Sequence, residues 1–579
     1  MDDKATLMAY LKADSQASYD MQFRRHDQWN ENYLLYRDKV EVNRLTQRQA
    51  VNVPIVRETV QAWVSKIDEP PLLVFEARGK DNADKRAEII MNEVYGYYYD
   101  KLHFDQVDTL EKKIVGLQGR VFKKFGFSKA KNMAWVAVCD PFDIEVDPKA
   151  NMFQLDETAN FLNHKNIFVY LKDILADPLY DEEEKNKLKV YLDSKVGILT
   201  VQDTVDAHQA REARLRTLGA FNFDAMGAKD VLVELKEHYK KLWVESEKKF
   251  VWHLIINAAD VAILYKKTLK EAIGVDFLPF TTWADDPDVN DPWPDGKADS
   301  VRTFNKIANI YVSQMLENRT YRNFGMYFYD NTNEDFKPVA MDPRPFGFFG
   351  VPGNPGDVMK QIDIPELSGT MEELNWLKET IQSSVAITPT ERGINDRGAN
   401  KTLGAKEINL EQSTKVTTVT QKNYRASWKE FGWKFYELLK ANTSGSLTLY
   451  KKGADDQYYP KTVYPKDWNT KAGFNIKVIF KSDKESEDNQ MMQKAMFVMN
   501  NFEGNTAAIK IAKRKQLESL GWKPEEIQQV MDFEDQAAAS AEAAASAQGL
   551  NPGGPGSGID ENVMPINKAA LAKELTPQM

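Results

Sequence analysis

The chain has 579 residues, 42% of them hydrophobic and 28% charged, and a net charge of -10. At ~150 residues per domain the length predicts roughly four units, or one large discontinuous one. The balance excludes a chain that is disordered throughout or embedded in a membrane, and the acidity excludes nucleic acid coating the whole surface while leaving room for a local basic patch.

The one cysteine, Cys139, rules out an intrachain disulfide and a multi-cysteine zinc site, and fits a reducing compartment. The N-terminus MDDKATLMAYLK has no basic region leading into an apolar one, so no secretory signal is expected. Leu254 to Leu264 is the most apolar stretch. Asp260 interrupts it, and it falls well short of the ~20 residues that cross a bilayer, so no membrane segment is expected.

Residues 1 to about 118 read as mostly helical. Between Asp14 and Tyr36, aromatic residues recur at roughly helical spacing (Tyr19, Phe23, Trp29, Tyr33, Tyr36). A second helix over Val51 to Val64 is entered through Asn52-Val53-Pro54, since proline is tolerated in a first turn. Pro70-Pro71 leads into a short strand, LLVFEA, and helices follow at Asp84–Tyr99 and Gln106–Gln118. From 120 to 175 the texture turns to short β-prone pieces: Val121–Phe127, Ala134–Val138, and the alternating stretch Asp140–Pro148 between two prolines. Phe161–Tyr170 is a strand or the lead-in to a helix, and Asp181–Glu184 a solvated surface turn. Residues 176–230 are polar and helix-prone. VLVEL, KLWVES and KFVWHLIINA, then VAILYKK, predict an antiparallel meander. DDPDVNDPWPDG, Asp285–Gly296, punctuates two units.

Ser300–Phe324 predicts a helix with Phe304, Ala308, Tyr311 and Met315 near one face, a short heptad-like seam. Its charges are Arg302, Lys306, Arg319 and Arg322 against Glu317. Such a basic helix fits packing on one side with polyanion or solvent on the other, and equally an ordinary amphipathic helix of a bundle. Strand-like pieces (MYFYD, FKPVAM) lie among prolines and glycines over 325–367. Thr370 and Glu373 have the spacing of a capping box, and Met371, Leu374, Leu377 and Ile381 then repeat at helical spacing. TPTERGINDRGANKT, 388–402, predicts a long flexible loop. A helix from Leu403 to Lys440 places Trp428, Phe431, Phe435 and Leu438 on one face. Strands at SLTLY and FNIKVIFK precede helices at 484–501 and 505–534. From about 537 an Ala/Ser-rich and then Gly/Pro-rich tail is expected to stay mobile.

Motifs of chemistry are missing. There is no GxxxxGK[ST], GxGxxG after a strand, GxSxG or HExxH, and the six histidines show no ligand spacing. Asp286, Asp288 and Asp291 lack the pattern of a calcium loop, so no metal site and no cofactor are expected. The aspartates between 140 and 147 are read as closing turns, and Cys139 as a small buried residue. The loop 388–402 carries Arg392, Arg397 and Lys401 against Glu391 and Asp396, with Lys406 just beyond. The cations sit beside Gly or Asn, which lets them swing towards a phosphate backbone, although one copy of such a loop also reads as a charged surface loop.

The order of these elements resembles the portal proteins of tailed bacteriophages, especially the larger portals of short-tailed phages. VNVPIVRETVQAWVSKIDEPPLLVFEA looks like a wing helix leading into a strand, and GLQGRVFKKFGF with DPFDIEVDP like wing strands. DDPDVNDPWPDGKADSVRTFNKIANIYVSQMLENR looks like the run into a first stem helix. EELNWLKETIQSSVAITPTERGIN followed by NKTLGAKEI looks like a second stem helix, a tunnel loop and the start of a long wing helix. The resemblance implies an α+β portal-like fold: wing over 1–297, stem helix over 298–325, clip over 326–367, second stem helix over 368–387, tunnel loop over 388–402, wing again over 403–483, a short helical crown over 484–535, and a tail over 536–579. The Ala/Gly-rich tail departs from the long helical barrel of the largest relatives.

What the resemblance implies in function is a non-enzymatic ring, usually of twelve subunits, at one capsid vertex. Double-stranded DNA would pass through it, with terminase, the major capsid protein or scaffold, and a tail adaptor as partners. It would reside in the virion, and in the host cytoplasm during assembly. Arg392, Arg397, Lys401 and Lys406 are then expected to touch DNA. Phe304, Ala308, Tyr311 and Met315, with Leu374, Leu377 and Ile381, are expected to control stem and subunit packing. Two alternatives are another structural virion protein, such as a tail or capsid subunit, and a carboxylate enzyme that uses Mg²⁺ on nucleic acid. The latter needs a compact acidic cluster that the dispersed aspartates do not offer.

Overall fold

The computed structural model describes residues 4–39, 51–67, 70–195, 232–288, 291–324, 327–329, 354, 359–361, 363–365, 369–385, 403–452, 458–470, 473–479, 491–499, 506–520, 527–533, 536 and 540. The fold is α+β. The chain divides into two compact units, Met1–Lys481 and Ser482–Met579.

In the first unit the opening helix, Lys4–Tyr36, runs longer than its aromatic spacing predicts. Half of its buried residues are polar, and three of them, Ser18, Gln22 and Asn32, meet the backbone of other elements. Ser18 Oγ accepts from the Val146 N–H at 2.9 Å, and the Gln22 amide donates to the Pro141 carbonyl at 2.6 Å. Helices Ile55–Lys66, Asn82–Lys101 and Phe104–Gln118 follow, with strand β1 (Leu72–Ala77) after the first. The last of these helices ends at Gly119, whose φ of +82° is left-handed, and a Cβ there would lie 1.9 Å from the Pro294 carbonyl oxygen. Glycine is required twice over, for the backbone angle and for the close approach of the loop before residue 296.

Strand β2 (Arg120–Ser128) lies between β3 (Met133–Cys139) and β9 (Phe280–Ala284) in a three-stranded antiparallel sheet. The stretch from Asp140 is only partly strand. Pro141–Asp143 is a 3₁₀ turn capped by the Asp140 carboxylate, which leaves β4 as Ile144–Val146. Strands β4, β5 (Phe161–Tyr170), β6 (Leu232–Val244), β7 (Lys249–Ala258) and β8 (Ala262–Thr268) form a five-stranded antiparallel meander. VLVEL and the start of KLWVES, read as two strands, are one continuous β6. The residues between them, Lys236 to Lys240, polar except for the buried Tyr239, are each paired with β7. Phe161–Tyr170 is a strand, and the helix Leu171–Ala176 begins immediately after it.

Asp181–Glu184 is the entry to helix Glu182–Lys195 rather than a turn; Asp181, Glu182 and Glu183 are exposed, as a solvated stretch would be, and Glu184 is not. The Asp181 carboxylate accepts from the Glu183 N–H at 2.9 Å. Glu184 is 5% exposed because it meets Lys4 at 3.0 Å and accepts from the Ile263 N–H at 3.1 Å.

The chain closes on itself. Strand β14 (Phe474–Ile479) pairs antiparallel with β1, while β12 (Leu447–Lys452) pairs with β13 (Tyr458–Val463), a strand the sequence reading did not register. One large hydrophobic cluster joins helices 55–66, 82–101, 104–118 and 403–442 to β1, β2 and β14. A second joins Trp29, Trp293 and Phe142 to the meander. In the second unit the described residues are helical at 491–499, Thr506–Ser519 and 527–533, with Ala495, Ala512 and Ile527 buried.

Candidate functional site

The region carrying the predicted site begins at helix Lys297–Phe324. Asp299 in its first turn fixes the start: its carboxylate accepts from the Gly296 N–H at 2.8 Å and from Asn32 at 2.9 Å, and Arg302 pairs with it at 2.7 Å. On the buried side, Asn305 and Asn309 sit one turn apart among apolar residues. Asn305 Oδ1 accepts from the Val56 N–H at 3.0 Å, Asn309 Oδ1 accepts from the Val53 N–H at 2.8 Å, and both side chains donate towards Asn52 Oδ1 at 3.4 and 3.1 Å. Helix Ile55–Lys66 follows Pro54, which offers no side-chain cap. Its unsatisfied N-terminal N–H is therefore capped from another helix 249 residues away.

The predicted seam lies on the adjoining face. Ala308 is buried, and Phe304, Tyr311 and Met315 are partly buried. On helix Thr370–Val385, Leu377 and Ile381 are buried and Leu374 partly so. Ala308, Leu377 and Ile381 belong to the large cluster, with Phe304 and Leu374 packed against it. This burial is within one chain. The second helix starts at Thr370 itself, and the Gly369 carbonyl accepts from Glu372 and Glu373 at 3.1 and 3.0 Å. The outward side of this helix shows Glu372, Glu373 and Glu379 around Trp376, which is 64% exposed.

Between the two helices the chain leaves and returns through a two-stranded antiparallel ladder. Strand β10 (Tyr327–Tyr329) pairs with β11 (Met359–Gln361), Tyr327 opposite Gln361, and Asn318 donates to the Pro365 carbonyl at 3.0 Å. The ladder brackets the stretch expected to form an insert. FKPVAM lies outside the described residues, as do Arg392, Arg397 and Lys401. Lys406 falls in the first turns of the next helix, and its side chain is outside the description as well.

That helix, Leu403–Asn442, has 40 residues and would span roughly 60 Å at 1.5 Å per residue. Its C-terminal half is built into the body. Tyr424, Trp428, Phe431, Phe435, Leu438 and Leu439 are buried at spacings of three and four, the stripe an amphipathic helix lays on a core. Polar anchors flank the stripe. Thr420 donates to Asp285 and Tyr424 to Asp108. Asn442 donates to the Ile273 carbonyl at 2.7 Å. Lys434, 1% exposed, donates to the Phe280 carbonyl at 2.9 Å and pairs with Asp156 at 2.6 Å and Glu430 at 2.7 Å.

Beneath this half-helix lies a set of buried ions. Lys112 meets Asp108 at 2.6 Å. Lys123 meets Glu111 at 3.0 Å, too poorly aligned for a hydrogen bond, and lies over the Trp428 and Phe431 rings at 3.7 and 4.5 Å. Burial raises the pKa of both carboxyls, with the lysines opposing it, and pushes Tyr424 well above its usual value. The charges balance within the cluster. A slip of the long helix against helix Phe104–Gln118 and β2 would strand these charges, so the cluster would favour one register.

Elsewhere, burial pushes the Cys139 thiol up to about 12, so it is a poor nucleophile at neutral pH. Asp147 closes a turn by accepting from the Lys149 and Asn160 N–H groups at 3.0 and 2.9 Å. Among the described residues no group of three or more His, Cys, Asp or Glu is placed to hold a metal ion, and no helix is long and apolar enough to cross a membrane.

The asparagine network escaped the sequence reading. Its one sequence signal is the pair Asn305 and Asn309, with Ser313 beyond, at helical spacing on a face that otherwise reads as apolar. No model of a known protein family matches the chain, and no curated protein matches it.

Proposed function

We propose that this chain is the subunit of a portal-type ring at one vertex of a phage capsid, whose bore passes double-stranded DNA during packaging and ejection. The observation that carries the reading is the order over residues 297–442: a helix, a stretch bracketed by a two-stranded ladder, a returning helix, and a 40-residue helix. A conduit needs a long element held firmly at one end and leading to the bore at the other. The ionic and aromatic anchorage of Thr420 to Asn442 supplies the firm end. Residues 388–402, with Arg392, Arg397 and Lys401, and Lys406 beyond, would face the DNA. Attraction to DNA grows with the number of neutralised phosphates, so a few cations on an otherwise acidic chain suit sliding better than a continuous basic groove.

In this reading the motor is a separate terminase, and capsid protein or scaffold and a tail adaptor dock on the ring. Negative-stain images of the purified protein should show rotationally ordered top views with a central hole, and the assembled mass should be a closed multiple of about twelve chains. A monomer that turns over a substrate, or a solid-centred assembly, overturns the proposal. A lattice or hexameric stack would point instead to another structural virion protein.

A further inference from the structure

A cleft of about 370 Å³ opens where the start of β2, the turn after β4 and the loop after β9 meet, lined among others by Arg120, Lys149, Met152, Phe153, Pro287 and Pro292. Arg120 is only 3% exposed. Its Nε donates to the Pro292 carbonyl at 2.6 Å and its Nη1 to the Thr282 hydroxyl at 3.3 Å. Both acceptors are neutral, and among the described residues no carboxylate lies within ion-pair distance of the guanidinium. Asp291 lines the same cleft but is already engaged: Oδ2 is held by Arg25 at 3.0 Å, and Oδ1 accepts from the Trp293 N–H at 2.8 Å. Lys149 is exposed, and no ion pair holds it among the described residues. Phe153 is 68% exposed, a large ring with one side uncovered.

A structural staple between loop and sheet would explain the two hydrogen bonds, but a neutral donor would serve for that without burying a charge. Burial pulls the guanidinium down to about 10, opposed only by Asp291. A planar fork of donors beside a lysine is instead the usual recognition element for an oxyanion. Asp288 and Asp291 also line the cleft and oppose any anion there, a doubly charged phosphate more than a singly charged carboxylate. The uncovered Phe153 ring, Met152 and the prolines ask for an apolar group next to the charge.

We propose that this cleft binds an acidic peptide, its carboxylate meeting Arg120 and Lys149 and the side chain beside it lying on Phe153 and the proline walls. The inference goes beyond the ring reading and does not depend on it. The test is thermal melting of the full chain, at matched ionic strength, with the capped dipeptide acetyl-Glu-Leu-amide and its Gln counterpart. The Glu peptide should raise the melting temperature saturably, as a ligand specific to the folded state does, and the Gln peptide should not. Arg120→Gln should abolish the response. Lys149→Ala, an exposed position that leaves folding intact, should weaken the apparent affinity roughly tenfold, the value of one charged hydrogen bond. Equal responses to both peptides, no response to either, an unchanged response in Lys149→Ala, or tighter saturable binding of inorganic phosphate would each overturn it.

Discussion

Beneath the long helix the buried polar groups are ions, Lys123 with Glu111 and Lys112 with Asp108, roofed by Trp428 and Phe431. Along helix Lys297–Phe324 they are neutral amides, Asn52, Asn305 and Asn309, joined to two backbone N–H groups. Both regions lock one helix to another, yet they should fail differently. Removing one ion strands its partner's charge in a low-dielectric site, whereas removing an amide leaves unsatisfied dipoles that cost less. The ionic region is therefore the stricter register lock and the one exposed to pH.

The largest expected effect is at Lys123. Lys123→Met leaves the Glu111 carboxylate buried without its cation and should cost about 3–5 kcal/mol, read as a lower urea midpoint at unchanged slope. The double variant Lys123→Met/Glu111→Met should recover most of that loss. If the double is as unstable as the single, packing rather than charge governs the site and the contrast fails.

Acid should act next, at a third buried site where β2, β5 and β6 meet. His164 lies beside Lys124, Nδ1 to Nζ 3.1 Å, and burial with that lysine holds its pKa down at about 4. The unfolded chain accepts this proton near pH 6.5, while the folded chain refuses it until about 4. The contribution is therefore complete above 6.5 and is lost as pH falls towards 4, on the order of 3 kcal/mol. Asp108 and Glu111, raised by burial, titrate in the opposite sense and lessen the loss. Stability curves between pH 7 and 4 should flatten in part in His164→Gln, with His238, likewise held down to about 4 by burial, keeping some of the slope, and an unaltered curve would remove His164 from the account.

Asn305→Ala should cost about 1–3 kcal/mol by orphaning the Val56 N–H and part of Asn52, with no dependence on pH over the same range. A pH-dependent loss there would erase the distinction. The smallest effect belongs to the surface pair Lys306–Glu31, whose side chains are 48% and 36% exposed. Lys306→Ala should shift stability by ~0.5 kcal/mol or less, an effect that vanishes in high salt.

Local signals carried much of the architecture. The stripe Trp428, Phe431, Phe435 and Leu438 is legible because a helix repeats every 3.6 residues, and LLVFEA because prolines and β-prone residues bound it. Misreadings fell where a distant partner changed the meaning of a polar residue. Glu184 reads as solvated but is claimed by Lys4 and Ile263. The middle of β6 reads as a break but is bridged by β7. The seam on helix Lys297–Phe324 was legible as a packing stripe, and so were Leu374, Leu377 and Ile381 of the returning helix, whereas the asparagine contacts to residues 52–56 were not.

Most of the elements in their order, the apolar stripes of helices 297–324, 370–385 and 403–442, and the lack of nucleotide-binding and hydrolase motifs follow from the sequence by itself, because they depend on residues within a few positions of one another. Tertiary structure alone decided that Asn305 caps a helix 249 residues away, that Lys123 is an ion beneath two aromatic rings, and that Arg120 lines a cleft without a carboxylate of its own. A buried polar group is defined by its partners, and those partners become neighbours only once the chain has folded.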